Sequence, residues 1–221
     1  GHQCQGYLST PGDRQGPAVV VIQEWWGLVP HIEDVCDRFA ASGFLALAPD
    51  LYHGEKASSP NDAQKLMMEL DIERANKEIL GAGRYLLSRD DCTSSTFGVI
   101  GFCMGGALAQ YAGTTSDEVG AVVSFYGGFK KVQPDWENLQ APILLIYGSN
   151  DVGVPASGGI ALQRQLREMG KNVEIKVYDD AEHAFFNDTR PEVYNEKAAE
   201  AAWLETMEIF RSSLEGGRVG S

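Results

Sequence analysis

A cysteine between glycines is the residue of this sequence whose surroundings best suit it for chemistry. Cys103 follows the apolar run 97–102 in the pattern G-x-C-x-G-G, with Gly101 two residues before it and Gly105 two residues after it. A nucleophile on a tight strand-to-helix turn needs such small neighbours, because larger side chains would collide with the adjacent strand and helix. The start of the following helix favours the reactive thiolate. The pattern therefore predicts a nucleophile elbow at Cys103.

Two other interpretations of Cys103 compete with this one. A free cysteine is most often a small buried hydrophobic residue, and Cys36, on an apolar helical stripe, fits that description. A glycine-rich turn can also bind a dinucleotide, but the G-x-G-x-x-G fingerprint is absent here and normally follows the first strand of a chain. The strand, turn and helix signals around Cys103 favour the nucleophile.

An acid and a histidine follow Cys103 in the order that such an elbow requires. Asp151 comes shortly after the apolar run 143–148, and His183 follows the next run, 173–178. If both runs are parallel strands, the two side chains lie at one edge of the sheet. His183 could then accept the thiol proton and return it to the leaving group, while Asp151 holds the imidazole in the required tautomer. Other acids beside His183 are interpreted as solvated loop charges: Asp179, Asp180 and Glu182.

The placement of these residues depends on strand and helix signals that alternate along the chain. Continuous apolar or β-branched runs predict buried strands at residues 18–23, 44–48, 97–102, 119–125, 143–148 and 173–178. Helical spacing predicts helices at residues 31–42, 61–87 with an interruption near 70–71, 105–113, 159–169 and 195–214. This alternation is typical of an α/β protein with a mostly parallel sheet and helices on both faces. In such sheets, function gathers at the carboxyl ends of the strands.

From residue 6 to residue 214 the sequence resembles the dienelactone hydrolase family. Besides the loops of Asp151 and His183, three segments carry the resemblance: QEWWG at 23–27, APDLY at 48–52 and GFCMGG at 101–106. The resemblance implies the α/β-hydrolase fold. It also implies that Cys103, Asp151 and His183 form a catalytic triad.

Three further residues acquire roles from the same resemblance. The backbone N–H groups of Trp25 and Met104 are expected to form an oxyanion hole, where they would stabilise negative charge on the attacked carbonyl oxygen. Glu24 matches a family carboxylate that faces the nucleophile. A nearby carboxylate disfavours a second negative charge, so Glu24 would keep the resting thiol protonated until substrate displaces it.

The sequence departs from the family at the position that holds the substrate's carboxylate. Family members use arginines, one of them shortly after the catalytic histidine, but Asn187 occupies that region here, and neither Arg74 nor Arg190 matches the expected place. Aromatic residues indicate instead a largely uncharged pocket. Four of them are predicted to bind substrate: Trp26, Tyr126, Phe129 and Phe185.

The predicted activity is hydrolysis of a small ester or lactone through a cysteine thioester, as in a broad carboxylesterase or lactonase. Two alternatives remain open. A thioesterase or peptidase could use the same triad, and a thiol sensor or binding protein could keep the fold without catalysis. The chemistry requires no cofactor, and the histidine and cysteine spacing offers no zinc or redox motif.

Composition limits the remaining classes. A chain of 221 residues suits one domain, 1–221, whose glycine-rich end at 215–221 is expected to be a frayed tail. The net charge of −13 disfavours nucleic acid and anionic membranes as partners, and no apolar run is long enough to span a bilayer. Four cysteines without a paired spacing predict free thiols in a cytoplasmic protein that is a monomer or a small homo-oligomer.

Overall fold

A computed structural model describes residues 3–12 and 14–215, which are organised around one seven-stranded sheet. In chain order the strands are β1 (Gly6–Ser9), β2 (Gly16–Ile22), β3 (Leu45–Pro49), β4 (Cys92–Phe102), β5 (Val119–Phe125), β6 (Ile143–Gly148) and β7 (Val173–Tyr178). The helices are α1 (Pro30–Ala41), α2 (Pro60–Glu69), α3 (Ile72–Leu87), α4 (Met104–Gly113), α5 (Ala156–Glu168) and α6 (Glu196–Leu214), with a short 3-10 helix at Trp136–Asn138.

The strands lie in the order β1-β3-β2-β4-β5-β6-β7. Strands β2 to β7 run parallel to one another, and β1 pairs antiparallel with β3 at the edge. Every residue of β2 is buried, as expected for a parallel strand covered by helices on both faces. The chain therefore has the predicted fold class, an α/β-hydrolase fold with a mostly parallel sheet.

Two apolar cores cover the two faces of the sheet. In β2 the residues Val20 and Ile22 face one core, and Val19 and Val21 face the other, because successive strand side chains point to opposite sides. Helices α3 and α4 pack on the first core, and α1 and α6 pack on the second. The lack of a side chain at Gly98 makes room for the buried ring of Phe210 from α6.

Several boundaries differ from those that the sequence predicts. Strand β1 was not predicted, because its four residues are partly exposed and contain no β-branched run. Strand β4 begins at Cys92 instead of residue 97, since its first part pairs with Gly16 across a register shift. Helix α5 begins at Ala156, directly after Pro155, three residues before the predicted start at residue 159.

Two predictions concern the ends and the surroundings of the chain. The frayed tail predicted at 215–221 lies outside the described residues except for Glu215. In the part of the chain that the structure describes, no helix combines the length and the apolar character needed to cross a membrane.

Candidate active site

The loops at the carboxyl ends of the parallel strands carry the residues with predicted chemical roles. Cys103 follows β4, Asp151 follows β6 and His183 follows β7, whereas Glu24 and Trp25 follow β2. Because these strands run in the same direction, the loops that leave them share one edge of the sheet. The fold thus gives all five residues access to the same region.

Cys103 sits on a strained turn between β4 and α4. Its φ of 56° and ψ of −117° are a conformation that L side chains rarely adopt, and its N–H donates a 3.0 Å hydrogen bond to the backbone oxygen of Phe125. A Cβ on Gly101 would collide with the backbone of Gly105, and a Cβ on Gly105 would lie 2.6 Å from the backbone oxygen of Ile22. Both glycines are therefore required by close backbone approach. The turn leaves Cys103 partly exposed at the start of α4.

Asp151 and His183 form a short hydrogen bond. One carboxylate oxygen of Asp151, Oδ2, lies 2.6 Å from Nδ1 of His183. The other oxygen, Oδ1, accepts hydrogen bonds from the backbone N–H groups of Gly153 at 2.9 Å and Val154 at 2.8 Å. These backbone donors hold the buried carboxylate in one orientation. The imidazole is thereby oriented through Nδ1, which leaves its second nitrogen free for another partner.

The pKa of the His183 ring also responds to Cys103. Burial of the ring lowers its pKa, but the hydrogen bonds with Asp151 and Cys103 outweigh that effect and raise the pKa from 6.5 to about 10. The ring therefore favours the protonated form at neutral pH. An imidazolium next to a sulfur atom stabilises negative charge on that sulfur.

Two backbone amides lie close to the elbow without an acceptor of their own. Met104 is the first residue of α4, so its N–H has no partner within the helix. Among the described residues, the N–H of Trp25 also has no hydrogen-bond acceptor. The chain that leaves β2 touches the start of α4, since a Cβ on Gly105 would collide with the backbone oxygen of Gln23. Neither amide N–H is used by an acceptor among the described residues.

Glu24 is a buried carboxylate whose partner is an amide. It is 1 % exposed, and its Oε2 accepts a 2.9 Å hydrogen bond from Nδ2 of Asn187. The Asn187 oxygen in turn accepts hydrogen bonds from the N–H of Thr189 at 3.1 Å and from its hydroxyl at 2.6 Å. The second oxygen of Glu24, Oε1, is buried without a partner. Within residues 3–12 and 14–215 no cation pairs with Glu24, so the neutral amide of Asn187 is its partner.

The four aromatic residues predicted to bind substrate divide into two pairs. Trp26 and Phe129 are half-buried on the loops after β2 and β5. Tyr126 and Phe185 have no exposed surface and pack in the core, so their exposure does not support the prediction that they bind substrate. The ring of Tyr126 lies 4.9 Å, between centroids, from the ring of His183 and supports it from behind. The sequence pattern could not separate these pairs, because aromatic residues serve cores and pockets alike.

The hydroxyl of Tyr126 is buried in the same region. Burial raises its pKa well above 10.0, and electrostatic interactions with Glu24 and Cys103 contribute to the rise. The hydroxyl has no hydrogen-bond partner among the described residues. Tyr126 therefore stays a neutral phenol. Its hydroxyl is close enough to both Glu24 and Cys103 for each of them to affect its pKa.

Tyr52 is a neighbour of Cys103 that we did not predict. It lies on the loop after β3, is 6 % exposed, and its hydroxyl donates to the sulfur of Met104 at 3.5 Å. Burial raises its pKa, and an electrostatic interaction with Cys103 adds to the rise. The signal was present in the APDLY segment, but nothing local in that segment shows that it approaches the elbow.

Arg190 is a cation that lies beside Trp26. Its guanidinium carbon lies 5.9 Å from the ring centroid of Trp26, and its Nε donates to Glu192 at 2.9 Å. The positive charge of Arg190 lowers the pKa of Tyr126 slightly against the other effects. Arg190 is thus at the rim of the site, but an exposed acid already pairs with it.

Comparison with known proteins gives consistent matches along almost the whole chain. The model of the family described as "Dienelactone hydrolase family" matches residues 4–214. "Protein usf" of Aquifex pyrophilus is 39% identical over 97% of this chain and 95% of its own length. A protein of Aquifex aeolicus named "Putative carboxymethylenebutenolidase" is 36% identical over the same shares, 97% and 95%. The crystal structure of a "Putative Dienelactone Hydrolase" from Klebsiella pneumoniae superposes with a TM-score of 0.85 at 29% identity, covering 95% of this chain and 93% of that one.

Proposed function

Because the chain belongs to the dienelactone hydrolase family and is a carboxylic ester hydrolase, we propose that it cleaves small uncharged esters or lactones through a thioester on Cys103. The observation that carries this proposal is the linked set of contacts at the site. The carboxylate of Asp151 lies 2.6 Å from His183. His183 leaves the sheet at the same edge as Cys103, which sits on the strained turn, and Cys103 helps to raise the pKa of the His183 ring. A thiol, an imidazole and a carboxylate arranged in this order make up a nucleophilic triad.

Acylation begins with attack of the Cys103 sulfur on the carbonyl carbon. The carbonyl oxygen takes up the negative charge, and the free N–H groups of Trp25 and Met104 are the donors that would hold it. The C–O bond to the alcohol then breaks as the carbonyl re-forms. His183 gives its Nε2 proton to the departing oxygen, which leaves as the alcohol, or as the open end of the same molecule if the substrate is a lactone.

Deacylation returns the enzyme to its starting state. The neutral imidazole of His183 accepts a proton from a water molecule as that water attacks the thioester carbon. The same two amides stabilise the second oxyanion. The C–S bond then breaks, sulfur leaves as thiolate beside the imidazolium, and the acid departs. Ester and water are consumed, acid and alcohol are formed, and Asp151 keeps its charge throughout.

The surroundings of the triad support an uncharged substrate. The buried carboxylate of Glu24 has an amide partner instead of a cation, and the Asn187 amide is already used by that contact. Arg190 at the rim is paired with Glu192. The net charge of −13 adds a field that repels anions. Among the described residues of this region, a substrate carboxylate at Cys103 would therefore meet no cation that lacks an acidic partner.

The central test is pre-steady-state hydrolysis of p-nitrophenyl acetate. We expect a burst of one p-nitrophenol per chain, followed by slower turnover, and an acetyl group on Cys103 in the mass spectrum of the quenched enzyme. Cys103→Ala should lose both the burst and the label while its circular dichroism stays unchanged. Cys36→Ala is the matched control, because Cys36 is a fully buried thiol on the inner face of α1, and it should keep both.

Other outcomes would refute parts of the proposal. If Cys103 is alkylated by iodoacetamide but no ester, lactone, thioester or peptide is turned over, the chain is a thiol sensor or binding protein and the hydrolase mechanism fails. If only thioesters or peptides are cleaved, the triad is right but the substrate class is wrong. If uncharged aryl esters and lactones react faster than a lactone bearing a carboxylate, the pocket assignment holds. If the wild type instead hydrolyses the lactone that bears a carboxylate faster, and Arg190→Gln loses this preference, the assignment of an uncharged pocket is wrong.

A further inference from the structure

A second cluster of reactive side chains lies away from the triad. Cys4 precedes β1, His53 lies in the turn after β3, and Glu78 belongs to α3. One ligand atom from each of them lies within 4.8 Å of the other two, and this is the one such group in residues 3–12 and 14–215. A tetrahedral ion with bonds of 2.0–2.3 Å separates its ligand atoms by about 3.5 Å. Small side-chain rotations would therefore bring all three atoms onto one ion.

Glu78 has a buried oxygen that nothing in the described chain satisfies. Its side chain is 8 % exposed, and its Oε1 accepts a 2.9 Å hydrogen bond from Arg74 and lies 3.4 Å from Nε2 of His53. Its Oε2 is buried without a partner. A buried carboxylate oxygen without a partner is costly, and a bound cation is one of the few groups that would satisfy it.

The thiol of Cys4 is held only weakly where it stands. Its sulfur contacts the backbone oxygens of Gln5 at 3.3 Å and Asp50 at 3.6 Å. Burial raises the pKa of Cys4 to about 11, and the charges of Glu78 and Asp50 contribute to the rise. The thiol is therefore protonated at neutral pH, and a metal that binds it must release that proton to solvent.

The cluster lies between two cavities. Cys4, Glu78 and Arg74 line a cavity of about 850 Å³ between β1 and α3. His53 lines a depression of about 170 Å³ together with the same glutamate and arginine. A metal held by three protein ligands at this boundary would keep a coordination position open to a ligand from the larger cavity, as metals with three protein ligands commonly do.

We propose that Cys4, His53 and Glu78 bind one zinc-like divalent metal ion, with its fourth position facing the cavity between β1 and α3. The donor set decides the metal class. A thiolate, an imidazole and a carboxylate together suit zinc and its neighbours among the transition metals, whereas magnesium and calcium take oxygen ligands only. The site shares no residue with the triad, so it does not depend on the proposed hydrolysis.

Arg74 is the one group at the cluster that opposes a cation. Its Nη2 lies 3.5 Å from Nδ1 of His53, and its side chain is 46% exposed, so it can move into solvent. Removing its charge should increase the affinity for the metal, because the repulsion disappears and Oε1 of Glu78 loses a competing partner. Arg74→Gln therefore makes a prediction opposite in sign to that of any ligand variant.

The test is titration of the chelator-treated, dialysed protein with Co²⁺, followed by competition with Zn²⁺. Bound Co²⁺ reports thiolate ligation by an absorption band in the near ultraviolet, and calorimetry gives the stoichiometry and the affinity. The ligand variants are Cys4→Ser, His53→Asn and Glu78→Gln. Cys103→Ser is the control for metal capture by the triad, and His2→Ala is the control for the histidine two residues before Cys4 in the sequence.

We expect one metal per chain, an affinity loss of at least about tenfold in each ligand variant, and a gain in Arg74→Gln. The thiolate band should disappear in Cys4→Ser and remain in Cys103→Ser and His2→Ala. Added Zn²⁺ should raise the melting temperature of the wild type but not that of Cys4→Ser. A cooperative melting transition of Cys4→Ser in the same experiment shows that the variant folds. No thiolate band in the wild type, or a band that is lost in Cys103→Ser or His2→Ala instead, would overturn the proposal.

Discussion

Replacement of Asp151 by asparagine tests the acid of the proposed triad most directly. The Oδ1 atom of Asp151 accepts hydrogen bonds from the N–H groups of Gly153 and Val154 at 2.9 and 2.8 Å. In the variant only the amide oxygen can accept from these donors, so the amide NH₂ must occupy the place of Oδ2, 2.6 Å from Nδ1 of His183. Two donors would then face each other. The ring could avoid this conflict only by losing its Nδ1 proton.

The size of the effect follows from this conflict. The imidazolium carries a proton on both nitrogens, so it loses its acceptor at Nδ1 and the pKa of His183 should fall well below its present value of about 10. The remaining neutral ring carries its proton on Nε2, facing the sulfur, where it cannot accept a proton. Changes of this kind in Ser-His-Asp enzymes lower the rate by about 10⁴-fold. A thiol ionises more readily than a hydroxyl, so we expect a smaller loss here, about 10³-fold in kcat/KM, which corresponds to about 4 kcal/mol.

The assay is steady-state hydrolysis of p-nitrophenyl acetate by the wild type, Asp151→Asn and Asp179→Asn. Asp179 is an acid on the loop after β7, beside His183 in sequence, and serves as the matched control. Nuclear magnetic resonance titration of the His183 ring measures the fall in its pKa independently. A loss of less than tenfold in Asp151→Asn, or an equal loss in Asp179→Asn, would refute the assignment of Asp151 as the orienting acid.

Three further predictions concern pH and packing. The raised pKa of His183 keeps its ring protonated through neutral pH, so kcat/KM should fall as the pH rises through about 10. The contribution of this proton to the free energy of unfolding should be complete below about pH 6.5 and should be lost as the pH rises towards about 10. A fall of kcat/KM centred near pH 6.5 would contradict this prediction. In urea denaturation, Gly105→Ala should lower the free energy of unfolding by about 1–3 kcal/mol, because the new Cβ would collide with the backbone oxygen of Gln23. Gly81→Ala is the control, because a Cβ there meets no other atom, and it should raise the free energy of unfolding by about 0.5–1 kcal/mol. Phe210→Ala should cost about 3–5 kcal/mol in the same measurement, because its ring is fully buried, and a cost below about 1 kcal/mol would show that the core closes over the gap.

Local spacing was enough to predict the elements that position the site. The elbow is contained within residues 101–106, and Gly101 is required by the backbone of Gly105 only four positions away, although Gly105 is required by the backbone of Ile22 and Gln23 at the end of the neighbouring strand. Five of the six predicted strands begin and end within two residues of the observed bounds, because a parallel strand buried on both faces must be a continuous apolar run. Strand β1 escaped prediction because an edge strand with a half-exposed face needs no such run.

Burial and long-range juxtaposition could not be predicted in the same way. Phe129 and Phe185 are both aromatic loop residues, yet Phe129 is half-buried and Phe185 has no exposed surface. Glu24 is a loop acid in the sequence and a buried carboxylate in the structure, because Asn187 reaches it across 163 positions of the chain. Tyr52 approaches the elbow only because β3 and β4 flank β2 in the sheet.

The sequence by itself determined the fold class, the strained cysteine turn and the chain order of the acid and the histidine, since each depends on residue types over short distances. The tertiary structure alone decided which side chains share one electrostatic environment: Tyr126 behind His183, and Asn187 beside Glu24. It also decided the meeting of Cys4, His53 and Glu78, which no spacing rule relates. The physical reason is that hydrogen bonds, charges and coordination act over a few ångströms in space, and only the packing of helices on the sheet brings distant parts of the chain to that distance.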